Sequence, residues 1–378
     1  MKSGVYIHIP FCKSRCSYCD FATDVWRSDE AVERYVSALC LEIERFVSPN
    51  AQTVSADTIY FGGGTPSLLS AAQLEKILKT IHKQFEIDLD SEITLEMNPA
   101  TVSIEKLNDF RSLGVNRASF GVQTFDDRSL KLLARGHDAG DARKTFELLR
   151  QSGFENISFD LIAGLPHQTL ADWKLNLSEA MSLAPEHISL YILEIHEATP
   201  LAEQIRSKRQ PQPDEDLAAE MYEVMLEKLS KNSYEQYEIS NFSKPGFESR
   251  HNSKYWFCAP VFGFGVSAHS FDGKTRRANA RDTQKYVSLI ENAETPVVEN
   301  NELSAKQLSA EFAFLNLRMT NGLDIEEYRT RFAIDLKTEF SEDLSRLEEL
   351  GLIEFDENRL KLTRKGMVYS NEVFAIFV

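Results

Sequence analysis

The chain has 378 residues, of which 42% are hydrophobic and 26% charged, and its formal net charge is −16. This length and apolar content suffice for one large α/β domain and a smaller one, so intrinsic disorder is excluded as the default. The acidic balance, without any dense run of lysine and arginine, argues against a nucleic-acid surface, because phosphates need clustered positive charge. We therefore expect a protein or small-molecule partner.

The N-terminal segment MKSGVYIHIPFC has no apolar core of the kind found in signal peptides. No stretch approaches the roughly 18 to 20 apolar residues of a membrane span, and we expect a cytoplasmic protein. Three of the five cysteines, Cys12, Cys16 and Cys19, are clustered. This pattern suits a metal site in a reducing compartment better than a disulfide framework. Cys40 and Cys258 are interpreted as buried free thiols.

Six short β-rich runs, each followed by a segment with helical periodicity, occupy the first two-thirds of the chain. The predicted strands are 5–9, 58–62, 93–97, 117–122, 157–164 and 187–193. Helical spacing follows the first run at Val32, Tyr35, Val36, Leu39, Ile43 and Phe46, and the second at Leu74, Ile77, Leu78, Ile81 and Phe85. Repeated β–α units predict a parallel sheet, either open and doubly wound or curved into a partial barrel.

The last third of the chain has a different pattern. Segment 205–215 is charged and contains prolines, which predicts a loop before a helix that starts near Leu217. From about Leu303 onward, helices precede LEELGLIEFDENRLKLTRKG, which predicts a helix, a strand, a turn and a second strand. Winged helices have this pattern, but the segment is acidic, which disfavours DNA binding. An acidic docking surface for a protein partner is an alternative use.

The three clustered cysteines follow the first predicted strand and lie in a loop. Thiolates spaced so closely can bind three irons of a cubane cluster and leave the fourth iron open. A zinc site is the alternative, although structural zinc has four protein ligands and no fourth ligand follows at zinc spacing. The C-x3-C-x2-C spacing resembles the signature of the radical S-adenosylmethionine superfamily. That resemblance implies a 4Fe-4S cluster whose open iron is chelated by the methionyl group of S-adenosylmethionine.

Glycines and polar residues follow the later strands, at the strand ends where α/β barrels keep their chemistry. The glycine-rich FGGGTP at 61–66 allows a close backbone approach to a charged ligand, although many such turns are only structural. Glu96 ends the third strand, where a buried carboxylate is costly unless it meets a cation or hydroxyls. A structural ion pair is the alternative there. Gln123, Arg135 and Asp160 follow at the ends of the next β–α units.

YIHIPFC, GGGTP, GVQTF and DLIAGLP together resemble the oxygen-independent coproporphyrinogen III oxidase family, from residue 5 to the C-terminus. The resemblance implies an α/β fold: a partial (βα)6 TIM-like barrel over 1–235, an extension over 236–300 and a small winged-helix-like α+β domain over 301–378. It also implies an S-adenosylmethionine site lined by Tyr6, Tyr18, Gly63, Gly64, Thr65, Glu96, Gln123, Arg135 and Asp160. As a single strand aromatic, Tyr6 could equally belong to the core.

Two features distinguish the chain from the oxidases of that family. The oxidases continue the cysteine motif with x-C, where this chain has Phe21, and they have a longer segment before the first strand. RHNSKYW at 250–256 is instead similar to the HNxxYW motif of related haem chaperones. That resemblance implies that His251 binds haem iron, with Tyr255 and Trp256 against the porphyrin. Packing of these side chains at one end of the barrel is the alternative.

Two functions follow from these patterns. The first is a haem chaperone that holds a 4Fe-4S cluster and S-adenosylmethionine and passes haem to acceptor proteins such as respiratory enzymes. The second is an oxygen-independent coproporphyrinogen III oxidase, in which radical chemistry decarboxylates porphyrinogen propionates. His269, in GFGVSAHSF, is a second candidate haem ligand.

Overall fold

The structure, a computed structural model, describes residues 2–26, 28–48 and 53–378. Its first part contains β1 (Ser3–Ile9), β2 (Phe11–Cys12), β3 (Asp24–Val25), α1 (Asp29–Glu44), β4 (Val54–Gly63), α2 (Ala71–Gln84), β5 (Phe85–Met97), α3 (Ile104–Ser112), β6 (Arg117–Gln123), α4 (Asp127–Leu132), α5 (Ala139–Gln151), β7 (Asn156–Ala163), α6 (Leu170–Leu183) and β8 (His187–Ile192).

The middle of the chain adds short strands at both edges of the sheet. Its elements are α7 (Pro200–Arg206), α8 (Glu215–Ser230), β9 (Glu235–Glu238), β10 (Asn241–Ser243), α9 (Arg250–Trp256), β11 (Val261–Phe264), β12 (His269–Phe271), β13 (Thr275–Asn279), α10 (Thr283–Glu291) and β14 (Val297–Glu302). The C-terminal elements are α11 (Ala305–Asn316), β15 (Leu323–Asp324), α12 (Ile325–Phe332), α13 (Leu336–Glu339), α14 (Ser341–Glu349), β16 (Ile353–Asp356), β17 (Arg359–Leu362), α15 (Arg364–Val368) and α16 (Ser370–Phe374).

The main sheet contains a run of adjacent parallel strands in the order β11-β1-β4-β5-β6-β7-β8. Antiparallel strands continue the sheet on both sides, with β12, β13 and β14 beyond β11 and with β10 and β9 beyond β8. All six predicted strands are present, so the repeated β–α pattern predicts the parallel sheet correctly. The additional parallel strand, β11, is only four residues long and is too short to give a periodic signal.

The sheet is curved into a partial barrel. Tyr6 on β1 and Tyr191 on β8 line one cavity, although β8 lies five positions from β1 in the sheet order. In a flat sheet five steps of about 4.8 Å would place these strands roughly 24 Å apart. We call the C-terminal ends of β1, β4, β5, β6, β7 and β8, with the loops that follow them, the upper rim. The N-terminal ends of the same strands form the lower end.

Amphipathic helices cover the outer face of the barrel. Helix α1 buries Val32, Tyr35, Val36, Leu39 and Ile43, as its periodicity predicts. A capping box between Ser70 and Gln73 starts α2. The predicted patterns extend too far, because Phe46 and Phe85 lie beyond the ends of α1 and α2. Their rings stack against each other instead, with centroids 5.1 Å apart.

The C-terminal residues form a smaller helical module with an antiparallel sheet in the order β15-β17-β16. The predicted helix, strand, turn and strand correspond to α14, β16 and β17. The ion pairs Arg276–Glu311 and Arg318–Glu238 join this module to the preceding segment. Cys258 packs in its apolar cluster, and Cys40 is buried in the barrel core, in agreement with the predicted free thiols. Among the described residues, no helix has the length and apolar content needed to cross a membrane.

Candidate functional site at the upper rim

A cavity of about 520 Å³ extends from the upper rim into the barrel. Small-molecule sites typically enclose roughly 300–1,000 Å³. Most residues predicted for the cluster and S-adenosylmethionine line it, namely Tyr6, Cys12, Cys16, Tyr18, Cys19, Gly63, Gly64, Glu96, Gln123, Arg135 and Asp160. Thr65 is buried behind this surface, and its hydroxyl lies 3.5 Å from Sγ of Cys12. The structure therefore brings together residues from distant parts of the sequence.

The cysteine loop is fixed to the barrel by its backbone. All three thiols are half-buried. Ser17, between the second and third cysteines, donates its N–H to Leu133 O at 2.9 Å and accepts a hydrogen bond from Leu201 N at 2.8 Å. Its hydroxyl donates to Leu132 O at 3.1 Å. These contacts hold the loop between the chain after α4 and the start of α7.

Arg135 links the cysteine loop to two strand ends. Its Nη1 lies 3.6 Å from Sγ of Cys16 and 3.3 Å from the Tyr18 hydroxyl. Its Nη2 donates to Asn98 Oδ1 at 2.9 Å and to Gly121 O at 2.6 Å. Nε is buried and has no hydrogen-bond partner among the residues that the structure describes. The cavity thus presents a fixed cation with an unused donor.

The glycine-rich turn after β4 approaches the cysteine loop more closely than other residues could. Gly63 has φ of 109°, and its N–H donates to Glu96 Oε2 at 3.1 Å. A Cβ at Gly64 would lie 2.6 Å from the backbone oxygen of Pro10. Side chains at these two positions would therefore strain the turn or displace the cysteine loop.

Two buried carboxyl groups lie deeper in the cavity. Glu96 accepts a hydrogen bond from the Tyr60 hydroxyl at 2.6 Å, and burial raises its pKa to about 7. Burial also raises the pKa of Asp160 to about 6, against the opposing effect of a hydrogen bond from Ser189. The alternative for Glu96 is a structural ion pair, and within the described ranges Glu96 forms none. A ligand with positive charge or hydroxyl groups would favour the ionised form of both.

The remaining predicted residues also have defined positions. Tyr6 lies at the cavity surface, with its hydroxyl 3.1 Å from Nδ1 of His8 and its ring stacked on that of Tyr60. Tyr6 therefore contributes to the cavity surface and does not belong to the core alone. Gln123 ends β6 in the left-handed region, with φ of 67°. Such strained conformations in residues other than glycine concentrate at functional sites.

These groups fit a 4Fe-4S cluster with S-adenosylmethionine. Soft thiols from one loop face a cavity that also carries an unpaired guanidinium N–H and buried acids, which suits a zwitterionic ligand. Across residues 2–26, 28–48 and 53–378, no group of three or more His, Cys, Asp and Glu side chains can hold a single metal ion. Thiolates that bind different irons of a cubane need not converge on one point.

The HNxxYW motif lies on α9, which covers the lower end of the barrel. His251 is 0% exposed and does not line the cavity. Its Nδ1 is 2.8 Å from the Thr58 hydroxyl, its Nε2 is 3.1 Å from the Tyr255 hydroxyl, and its ring stacks on that of Tyr60. Both ring nitrogens therefore have hydrogen-bond partners, and in this arrangement His251 packs one end of the barrel.

Trp256 and His269, the other residues considered for haem binding, also lie outside the cavity. Trp256 faces the C-terminal module, where the Arg318 guanidinium lies 4.4 Å from its ring centroid. His269 is exposed at the start of β12 and does not line the cavity. Asn252, beside His251 in the chain, does line it.

Sequence reasoning misses several cavity residues that have a recognisable signal. In RASFGVQ, the residues of β6 alternate between an inward set, Arg117, Ser119, Gly121 and Gln123, and an outward apolar set. Strict alternation places polar residues on one face of a strand. Applied to the whole strand, this pattern predicts Arg117 and Ser119 as cavity residues, whereas attention to strand ends alone finds only Gln123.

Comparison with known proteins supports this assignment of the fold. Residues 6–178 match the Radical SAM superfamily, and residues 303–369 match the HemN C-terminal domain. The chain is 39% identical to the haem chaperone HemW of Bacillus subtilis, over 100% of this chain and 99% of that protein. For HemW of Lactococcus lactis the identity is 36%, over 100% and 97% of the two chains.

Two further comparisons extend this group. The chain is 33% identical to the bovine mitochondrial radical S-adenosyl methionine domain-containing protein 1, over 97% of this chain and 85% of that protein. Among solved structures, the radical SAM enzyme coproporphyrinogen III oxidase (HemN) from Escherichia coli covers 100% of this chain and 90% of its own, with 24% identity and a TM-score of 0.87. The two chains therefore share a fold.

Proposed function

The chain belongs to the family of the haem chaperone HemW, within the radical S-adenosylmethionine superfamily, and from this premise we propose that it is a haem chaperone. It binds haem and transfers it to acceptor proteins such as respiratory enzymes. The observation that carries the proposal is similarity to HemW over the whole chain, which includes the barrel, α9 and the C-terminal module. Superfamily membership implies a 4Fe-4S cluster and S-adenosylmethionine.

We propose that Cys12, Cys16 and Cys19 hold the cluster, which in this superfamily supplies the electron for reductive chemistry on S-adenosylmethionine. The remaining predicted residues, Tyr6, Tyr18, Gly63, Gly64, Thr65, Glu96, Gln123, Arg135 and Asp160, form the S-adenosylmethionine site. Their convergence on one cavity supports this assignment. In it, Arg135 fixes the cysteine loop and carries an Nε donor that has no partner among the described residues, and the glycines at 63 and 64 let the turn after β4 pack closely against β1 and the cysteine loop.

The proposed role of His251 as the haem ligand requires a local rearrangement. Thr58 orients the ring through Nδ1, and Tyr255, which is 38% exposed, screens Nε2. Haem iron can reach Nε2 only if the Tyr255 hydroxyl moves away. Neutral imidazole is a good axial ligand, and burial lowers the pKa of His251 to about 3, so the ring is neutral at physiological pH.

A pair of variants tests this ligation. His251→Ala should abolish the Soret shift on haem addition, whereas Tyr255→Phe should retain it and bind haem at least as tightly as the wild type, because Nε2 is then free. An unchanged Soret spectrum in His251→Ala would contradict the assignment and direct attention to the exposed His269. Folding of both variants is checked by circular dichroism.

The chaperone itself is tested with anaerobically reconstituted full-length protein. We expect haem binding, transfer of that haem to a haem-free respiratory cytochrome, and no conversion of coproporphyrinogen III to protoporphyrinogen. Oxidase turnover would contradict the proposal. The whole-chain similarity to HemW favours the chaperone over the oxidase, as does Phe21, which lines the cavity where oxidases of the family carry cysteine.

A further inference from the structure

Among the residues that the structure describes, Arg117 is a buried cation without an ion-pair partner. It is 1% exposed, yet its side chain lines the cavity. Its Nε has no hydrogen-bond partner, and in the described part of the chain its guanidinium forms no ion pair. A buried charge is strongly destabilising unless it is paired and hydrogen-bonded. The unpaired guanidinium therefore indicates an anionic ligand.

The position of Arg117 separates it from the site at the upper rim. It is the first residue of β6, and Gln123 at the upper rim is the last. Six steps of about 3.3 Å place their Cα atoms roughly 20 Å apart along the strand. The sheet register aligns Arg117 with Thr94 and Tyr60, below Glu96. Arg117 thus forms part of the floor of the cavity.

The neighbours of Arg117 suit an amphipathic acid. Ser119, the next inward residue of β6, and Asn252, from α9, line the same cavity and supply hydrogen-bond donors. Tyr60, which the sheet register places level with Arg117, lines the same cavity and provides aromatic wall. Planar guanidinium binds carboxylate through two parallel hydrogen bonds. The floor therefore combines one fixed cation with polar donors and a hydrophobic wall.

The internal acids do not complete the pairing of Arg117. Glu96 bonds to Tyr60 and to the backbone of Gly63, and Asp160 bonds to Ser189. Neither forms an ion pair with Arg117 within the described residues. Burial raises the pKa of Glu96 to about 7 and that of Asp160 to about 6, and it outweighs the charge of Arg117, which lowers the pKa of both carboxyls. Near neutral pH Glu96 is therefore only partly ionised, and Asp160 acts on Arg117 through its charge without forming an ion pair within the described residues.

We propose that Arg117, with Ser119 and Asn252, forms a carboxylate-binding subsite on the cavity floor that anchors a propionate of haem. The identity of this ligand rests on the proposed function, whereas the anionic character of the subsite rests on Arg117 itself. The methionyl carboxylate of S-adenosylmethionine is the other possible source of the carboxylate. The superfamily resemblance places that group at the open iron near the cysteines, so the two sources make different predictions.

The experiment compares haem with haem dimethyl ester, in which both propionates are neutral. On the reconstituted wild type, the ester should bind about 10- to 100-fold more weakly, as expected for the loss of charge-assisted hydrogen bonds. Arg117→Met should weaken binding of haem by a similar factor and leave binding of the ester unchanged. Arg117→Lys should lose less of the affinity for haem than Arg117→Met does. S-adenosylmethionine affinity should stay at the wild-type value. Arg128→Met, at an exposed arginine, is the matched control.

Each result decides the proposal. Equal affinity of the wild type for haem and its ester would overturn it without any variant, so misfolding of Arg117→Met cannot obscure the test. Loss of S-adenosylmethionine binding with normal haem binding in Arg117→Met would assign the subsite to the methionyl carboxylate instead. A wild-type protein that binds no haem would refute the proposed function, whereas normal haem binding and delivery by Arg117→Met would refute the subsite alone.

Discussion

The upper rim and the lower end of the barrel each carry a recognisable motif, but the polar groups of the two regions differ in whether they have partners. At the upper rim the thiols are half-buried and Arg135 retains an unused Nε donor. At the lower end both ring nitrogens of His251 are occupied, and its backbone N–H donates to Glu92 Oε1. The first region is open to a ligand as it stands, whereas the second is closed and can receive one at His251 only after the Tyr255 hydroxyl moves away. A motif alone does not distinguish these two situations.

The difference arises from the elements that carry the residues. Parallel strands bring their C-terminal ends to one rim, so side chains at those ends converge irrespective of their distance in the sequence. Helix α9 instead lies across the strand starts, where Arg250 and Lys254 pair with Asp57. The ion pairs fix the helix, and the fixed helix positions His251 against Tyr60.

The largest expected effect concerns the upper rim. Cys16→Ala should prevent assembly of the cluster, because a cubane held by two protein thiolates has lost one of its soft ligands. Iron and sulfide content after anaerobic reconstitution, together with electron paramagnetic resonance of the reduced protein, measures this loss. Cys40→Ala removes a buried thiol of the barrel core and should assemble the cluster normally. Full cluster content in Cys16→Ala would remove the main distinction between the two regions.

Much of the upper rim is predictable from the sequence, because it depends on strand ends and the strands have clear apolar patterns. The cysteine spacing and the residues Glu96 and Gln123 near strand ends follow from that pattern and from the family resemblance. Asp160 follows from the same resemblance, although it lies in the middle of β7. Asn98, which bridges Arg135 and Thr65, requires side-chain geometry that sequence does not supply.

The lower end is less predictable for a physical reason. The sequence predicts neither β11 nor the helix that precedes it as parts of the barrel, since both are short and their positions depend on long-range pairing. On a seven-residue helix, the direction of His251 depends on which neighbours it packs against. The motif therefore identifies the residue but not whether its ring nitrogens are available.

The second prediction tests the unused donor at the upper rim. Arg135→Lys keeps the charge but loses the fork that contacts the cysteine loop, Asn98 and Gly121 together. S-adenosylmethionine affinity should fall about 10- to 100-fold, since charged hydrogen bonds contribute roughly 1.5–3 kcal/mol. Equilibrium binding to the reconstituted protein measures the change, with Arg128→Lys as the exposed control. Unchanged affinity would mean that Arg135 only supports the loop.

The third prediction tests closure at the lower end, in haem-free protein. Burial, reinforced by the charges of Lys254 and Arg117, lowers the pKa of His251 to about 3. The unfolded chain binds a proton near the ordinary value of about 6.5, so His251 contributes stability above that pH and loses it as pH falls toward the folded value. The loss between pH 7 and pH 5 should be about 2 kcal/mol.

His251→Asn isolates this contribution, because asparagine does not titrate. The variant should be less stable by about 2 kcal/mol at pH 7, as expected when buried partners lose a hydrogen bond. The difference should nearly vanish at pH 5, since the wild type then loses a similar amount. Urea unfolding at both pH values measures the difference in stability, with His82→Asn, at an exposed position of α2, as control.

A difference in stability that stays constant with pH would mean that His251 can take up a proton in the folded protein. Its ring would then be accessible without movement of Tyr255, and the lower end would be as open to a ligand as the upper rim.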